Sequence, residues 1–198
     1  MRRIVIGSGN RHKVEEIRRI LSGLPVEWSD RIGRTDVPEP EETGTTFEEN
    51  ARLKAAAYAR ATGEWVLADD SGLEVDALAG RPGVLSARYA GPEQDAGRNI
   101  GRLLGELDRV PDDRRAARFV CVAVVHDGIR VLAEARGTCE GTIVRAPRGS
   151  GGFGYDPVFL VPDLGRTFAE LSAAEKDRRS HRARALTDLR AALVRFLV

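Results

Sequence analysis

The stretch Ser8-Gly9-Asn10-Arg11-His12-Lys13 lies between a short apolar run and the first helical spacing. A strand-to-helix turn points free backbone N–H groups at whatever sits above it. Gly9 lets that backbone approach closely, and Ser8 or Asn10 can cap the helix. Lys13 stands in the first turn, where a cation opposes the helix dipole by about 0.3–1 kcal/mol. An anionic ligand would remove that penalty. The Gly-x4-Gly-Lys-Ser/Thr spacing of a Walker A loop is absent. The plain alternative is a capped helix with a solvated lysine.

Carboxylates cluster at Glu39, Glu41 and Glu42 and again at Asp69-Asp70, which the sequence places at a strand end. Two adjacent carboxylates there repel each other unless something neutralises them. Mg²⁺ does this well, because it takes oxygen ligands and keeps several waters for phosphate oxygens. The competing reading is a turn, since Asp69-Asp70-Ser71-Gly72 is good turn chemistry. Lys54 follows Asn50 by one helical turn and could meet phosphate or simply face solvent.

Glycines at 149, 151, 152 and 154 surround Phe153, with Tyr155 and Asp156 close behind. A rigid loop could hold Phe153 against a planar ring, and stacking on a base contributes roughly 1–3 kcal/mol. Asp156 could accept hydrogen bonds from ring N–H groups. The alternative is a tight connection with both aromatics in the core. Glu175 to Arg182 is a charge run, interrupted as a helix by Ser180-His181-Arg182. Read blandly it is a solvated helix face. Lysine, histidine and arginine can also donate to purine O6 and N7. Cys121, in an apolar strand, is expected in the core. No Gly-x-Ser-x-Gly elbow and no zinc-ligand spacing is present.

The elements that must position these groups alternate. Arg3 to Ser8 reads as a strand and Arg11 to Ser22 as a helix closed by Gly23 and Pro25. Arg34 to Thr45 is a turn-rich acidic loop, and Thr46-x-x-Glu49 is a capping box opening a helix that Gly63 ends. Strands are expected at Trp65 to Ala68, Phe119 to Val125 and Pro157 to Val161, with a hairpin through Asp127-Gly128 into Ile129 to Arg136. Arg98 to Leu107 reads as a helix, Ser172-x-x-Glu175 is a second capping box, and Leu186, Leu189, Leu193 and Phe196 stripe the last helix. Early alternation with a central hairpin argues a mixed α/β sheet in one compact unit.

Composition bounds the rest. The chain has 198 residues, with 31 Lys plus Arg against 30 Asp plus Glu and a net charge of +1. That balance argues against a general nucleic-acid binder. Two cysteines are too few for a disulfide scaffold and fit a reducing compartment. No apolar run approaches the roughly 20 residues of a membrane helix, and MRRIVIGSGN is no signal peptide, so a cytoplasmic location with no membrane partner is expected. The charges read as segregated, with Glu42, Asp69 and Asp70 acidic on one side and Lys13, Lys54, Lys176 and Arg182 basic on the other.

In order along the chain stand Ser-Gly-Asn-x-x-Lys, Glu-Glu-Thr-Gly-x-Thr-Phe-x-Glu-Asn-Ala-x-x-Lys, Ala-Asp-Asp-Ser-Gly-Leu-x-Val-Asp-Ala-Leu, Gly-Gly-Phe-Gly-Tyr-Asp-Pro-x-Phe and Ser-His-Arg. With these motifs the whole chain resembles the inosine triphosphate pyrophosphatase family. The resemblance implies hydrolysis of ITP, dITP or XTP to the monophosphate and pyrophosphate, with Mg²⁺ and a homodimer. It implies a single domain over 1–198 with an elongated mixed α/β sheet flanked by helices, two lobes and a cleft. Residue by residue, Ser8, Gly9, Asn10, Arg11, His12 and Lys13 match the phosphate loop, and Lys54 matches a phosphate contact. Glu42 and Asp70 match the metal carboxylates, Asp70 also the proton acceptor, and Ser71 a substrate contact. Phe153, Gly154, Tyr155, Asp156, Lys176, His181 and Arg182 match the base-recognition set. Two other readings are a pyrophosphatase for modified pyrimidine or methylated nucleotides and a non-catalytic nucleotide- or RNA-binding module.

Overall fold

A computed structural model describes residues 1–32 and 37–197. Residues 34–36 of the expected acidic loop therefore lie outside the described residues. The strands are β1 (Arg2–Ile6), β2 (Val26–Asp30), β3 (Trp65–Val75), β4 (Ala116–His126), β5 (Val131–Ile143), β6 (Phe159–Val161) and β7 (Arg166–Thr167). They are hydrogen-bonded in the order β2-β1-β3-β4-β5-β6-β7. β1 is parallel to β2 and β3, while β6 is antiparallel to β5 and β7, so the sheet is mixed as expected. The helices are α1 (Arg11–Ile20), α2 (Phe47–Thr62), α3 (Ala96–Glu106), α4 (Ala173–Lys176) and α5 (His181–Leu193).

Local signals explain most boundaries. Asn10 caps α1 by accepting the Lys13 N–H, and Thr46 and Glu49 close a reciprocal capping box on α2. Gly63 ends α2 in the left-handed conformation at φ 69°. The second capping box is real, but the helix it opens is the single turn α4, and α5 starts afresh at His181 and ends at Leu193, so Phe196 falls beyond it and is exposed rather than part of its buried stripe. The largest departure is at Asp69-Asp70-Ser71-Gly72, which is not a turn: β3 runs straight through it. Turn preference is a local bias, and it yields where buried carboxylates find cationic partners on either side of the strand.

The chain divides into two compact units. The first comprises residues 1–70, 121–137 and 181–198. Its core joins Ile4, Ile6 and Leu67 with Val14, Ile17 and Leu21 of α1 and Leu186, Leu189 and Leu193 of α5. Cys121 is fully buried in it, as expected. The second comprises residues 71–120 and 138–180. Its core is aromatic, with Phe119, Phe159 and Phe168 in mutual ring contact at centroid distances of 4.6–5.7 Å. No helix among the described residues is long and apolar enough to cross a membrane.

One close approach in the first unit sets the start of α5. A Cβ on Gly137 of β5 would lie 2.2 Å from the His181 carbonyl oxygen and 2.4 Å from the Ala185 nitrogen. Only glycine lets the helix settle here. Gly137→Ala should therefore destabilise the protein by about 1–3 kcal/mol, the range for overpacking. Urea denaturation reads this, and an unchanged midpoint would mean that α5 moves away freely.

Candidate active site

In the first unit, the β1–α1 turn is ordered by its own side chains. Ser8 Oγ accepts the Asn10 N–H at 3.2 Å, and Asn10 Oδ1 accepts the Lys13 N–H at 3.2 Å. Gly9, Asn10, Arg11 and His12 are exposed. Lys13 does not project into solvent, because its Nζ lies 3.2 Å from Asp69 Oδ2. The dipole penalty read from the sequence is thus met by an internal anion.

Asp69 is the hub of a buried network. Arg182, 1% exposed, places Nη2 3.0 Å from Asp69 Oδ2 and Nη1 2.5 Å from Glu16 Oε2. Burial alone would raise the Asp69 pKa, but Lys13, Arg182 and Lys54 together hold it well below the usual carboxylate range. The Cys121 thiol, 3.8 Å from Asp69 Oδ2, is pushed up to about 12 by burial and by that carboxylate, so it is an inert neighbour.

Lys54 is buried, not solvated, and two carboxylates converge on it. Its Nζ lies 2.6 Å from Glu42 Oε1 and 3.0 Å from Asp70 Oδ1. Burial would lower the Lys54 pKa, yet Asp70, Glu42 and Asp69 reverse that and raise it. The Asp70 pKa stays above the ordinary value, because burial and the nearby Glu42 outweigh Lys54 and Lys13. The loop carrying Glu42 is pinned to α2 near both ends. The Gly44 N–H donates to Asn50 Oδ1 at 2.8 Å, and a Cβ on Gly44 would lie 2.6 Å from that same oxygen. Arg31 lies 4.0 Å over the Tyr58 ring and donates to the Val37 carbonyl.

These carboxylates suit a hard cation. Asp70 Oδ2 is buried with no hydrogen-bond partner, which leaves an oxygen for a metal, and Glu42 is close enough to share Lys54 with it. No group of three or more metal-ligating side chains occurs among the described residues. Mg²⁺ does not need one, since it binds through one or two carboxylates and keeps water and phosphate oxygens.

In the second unit the glycine-rich loop folds around Asp156. Asp156 Oδ2 accepts the Phe153 N–H at 2.9 Å and the Lys176 ammonium at 2.7 Å. A Cβ on Gly152 would lie 2.0 Å from Asp156 Oδ2, and its φ is +70°, so glycine is required there twice over. Lys176 Nζ sits 4.7 Å from the Phe153 ring centroid. Phe153 is half-buried, whereas Tyr155 is buried and donates its hydroxyl to the Ser86 carbonyl at 2.9 Å. The packing alternative thus holds for the Tyr155 side chain. Ser71 continues β3 directly after Asp70 and is half-buried.

Residues 4–192 match the sequence profile of the Ham1 family. The chain belongs to that family. It is 52% identical over 189 residues to a Geobacillus kaustophilus protein named dITP/XTP pyrophosphatase, covering 96% of this chain and 93% of that one. It is similar to the solved HAM1 protein of Coxiella burnetii, with a TM-score of 0.89 and 42% identity over 98% of this chain and all of the other. A Mycobacterium abscessus structure described as nucleoside-triphosphatase / dITP/XTP pyrophosphatase matches at a TM-score of 0.74 and 44% identity, covering 94% and 97% of the two chains.

Among the Ham1 residues expected from the sequence, Lys13, Lys54, Glu42 and Asp70 meet around β3 in the first unit. Phe153, Asp156 and Lys176 meet in the second. His181 and Arg182 fall in the first unit, buried at the start of α5, and Arg182 is engaged by two carboxylates. The segregation of charge does not hold: each of these cations touches a carboxylate, with Lys13 and Arg182 sharing Asp69. Sequence reasoning missed Glu16, which reads as one more exposed helix acid, and gave Asn50 no role although its place in the helix was noted.

Asp69→Asn removes the carboxylate shared by Lys13 and Arg182, and should cost about 3–5 kcal/mol at neutral pH in metal-free buffer. A depressed pKa contributes stability above the ordinary value of about 3.9, and this is lost as pH falls toward the folded-state value. The gap between wild type and variant should thus be full at neutral pH and narrow below about pH 4. Denaturant titrations at several pH values measure it. A gap that widens on acidification would contradict the assignment.

Proposed function

We propose that this chain hydrolyses the non-standard purine nucleoside triphosphates ITP, dITP and XTP to the monophosphate and pyrophosphate. The observation that carries this reading is the convergence of Glu42 and Asp70 on buried Lys54, within electrostatic reach of Lys13 on the capped helix. The names borne by relatives at about half identity support it.

Phosphoryl chemistry asks for positioning and charge stabilisation more than covalent catalysis. Lys13 and Lys54 would hold phosphate oxygens, with the exposed residues 9–12 of the β1–α1 turn beside Lys13. Glu42 and Asp70 would hold Mg²⁺, which when bound supplies further neutralisation of the polyphosphate. Asp70 would take the proton from the attacking water as pyrophosphate leaves. Burial makes its carboxylate more basic than a solvated one, which suits that task.

Phe153 would stack on the base, and Lys176, fixed by Asp156, would donate to the 6-oxo group of hypoxanthine or xanthine. An adenine amino group would face that donor, and each unpaired buried polar group costs roughly 1–3 kcal/mol. We further propose Mg²⁺ dependence, a homodimer and a cytoplasmic location, on the family resemblance and the charge balance.

The test is pyrophosphate release with Mg²⁺ from ITP, dITP, XTP, ATP and GTP. The first three should be turned over well and ATP poorly, and equal rates on all five would sink the reading. Asp70→Asn should lower kcat by about 10²–10⁴ while part of the nucleotide affinity survives in a binding titration. Unchanged turnover would remove Asp70 as the base.

A further inference from the structure

We propose, resting on the reading of Lys54 and its carboxylates as a triphosphate site, that Asn50 is a further binding residue there. Its side-chain Nδ2 donates a hydrogen bond to a phosphate oxygen of the bound nucleotide.

Asn50 lies on α2 and is fully buried, at 0% exposure. The orientation of its amide is fixed, because Oδ1 accepts the Gly44 N–H at 2.8 Å and only the oxygen of an amide side chain accepts. Nδ2 is then the other end. It is buried and has no hydrogen-bond partner among the described residues. A buried donor without an acceptor is costly, and folded proteins meet nearly all of them with protein, water or ligand.

The surroundings of this amide belong to the site. Asn50 and Lys54 stand one turn apart on α2, so they share a face of that helix. Lys54 Nζ meets Glu42 and Asp70, and Gly44, which Asn50 holds, is two residues beyond Glu42. Asp70 Oδ2 is the matching case, a buried acceptor with no hydrogen-bond partner among the described residues. An unmet donor and an unmet acceptor beside one lysine suit a ligand that brings both an acceptor and a cation.

One component of a metal-bound triphosphate serves Nδ2. Mg²⁺ is itself an acceptor of lone pairs, and its bound waters turn their oxygens to the metal and their hydrogens outward. Phosphate oxygens accept, and their charge strengthens the bond. A second ammonium at position 50 would compete with the metal for Glu42 and Asp70, whereas a neutral amide does not. Glu42 and Gly44 are half-buried and Thr43 is exposed. The ligand reaches Nδ2 by parting Glu42 from Lys54, the same exchange that frees the lysine for phosphate.

The probe is inorganic tripolyphosphate, titrated calorimetrically with Mg²⁺ into the full chain, so that no base contributes. Asn50→Asp keeps an oxygen for the Gly44 N–H and removes the donor. Asn50→Ala removes both without adding charge. Each should weaken tripolyphosphate binding by about 10–100-fold, the range for a hydrogen bond to a charged group. In a Glu42→Ala background Asn50→Ala should cost the same factor again, because the contact does not run through Glu42.

A loss confined to Asn50→Asp is charge repulsion. A loss confined to Asn50→Ala is a structural hold on Gly44, and no loss in either means that a buried water serves Nδ2. A loss that vanishes once Glu42 is alanine makes Asn50 a positioning residue for that carboxylate. Each of these outcomes overturns the proposal. Should Asn50→Ala fail to give a cooperative melt, Asn50→Leu, of matching shape, takes its place. Should Glu42→Ala alone abolish binding, the pair of Asn50 variants decides. A wild type that binds tripolyphosphate but turns over neither ITP nor XTP refutes the proposed function and leaves this contact standing. A wild type that hydrolyses ITP but binds no tripolyphosphate overturns this proposal and leaves the proposed function standing.

Discussion

A charge taken out of water must find an opposite charge or give up its proton, and this constraint organises the first unit. Lys54, Asp69, Asp70 and Arg182 are all buried, and each is matched within 3.0 Å by an opposite charge. β3 makes the matching possible. Successive residues of a strand point to opposite faces, so Asp69 and Asp70 serve different helices although they are adjacent in sequence. Asp69 meets Lys13 of α1 and Arg182 of α5, and Asp70 meets Lys54 of α2. The mutual repulsion expected of neighbouring carboxylates is met in this way, each by its own cations.

The near-zero net charge then acquires a physical meaning. Within each unit the cations and anions named above stand in contact rather than on separate acidic and basic faces. A bare polyanion would have to displace carboxylates from the lysines, and a bare cation would have to displace lysines from the carboxylates. A ligand bringing both signs meets neither penalty in full. A metal-bound triphosphate is such a ligand, which favours the proposed substrate over a long nucleic-acid backbone with its monovalent counterions.

How much of this was legible in the sequence depends on the range of the signal. Capping boxes at Thr46 and Ser172, and the strand-to-helix turn at Asn10, are local and were readable. β2 was not, since Val26-Glu27-Trp28-Ser29-Asp30 has a single apolar branched residue and owes its strand conformation to pairing with β1. The Asp69–Gly72 stretch carries a local turn signal yet is extended, because the partners that keep it so come from α1, α2 and α5. The family motifs pointed to most of the candidate site without its connections. Glu16 and Arg182 are 166 positions apart, and no periodicity links them. The need for glycine at 137 is equally invisible, because the atoms it must clear belong to α5.

The energetics of Arg182 bear on why such a residue is present at all. Exchanging a buried ion triad for apolar side chains of similar volume is often neutral or stabilising, so stability alone does not explain an arginine between two acids. Breaking the triad by one partner is costly, but that penalty is created by the charges themselves. What an apolar replacement cannot do is keep Asp69 ionised in the interior beside Lys13. Preorganised charge is worth most where it meets charge that develops in a reaction, because no reorientation is then needed when the bond breaks. Glu16, Arg182 and Asp69 thus join α1, α5 and β3 by charge as well as by packing, and Lys13, whose side chain is 17% accessible, is the member of the network that solvent reaches.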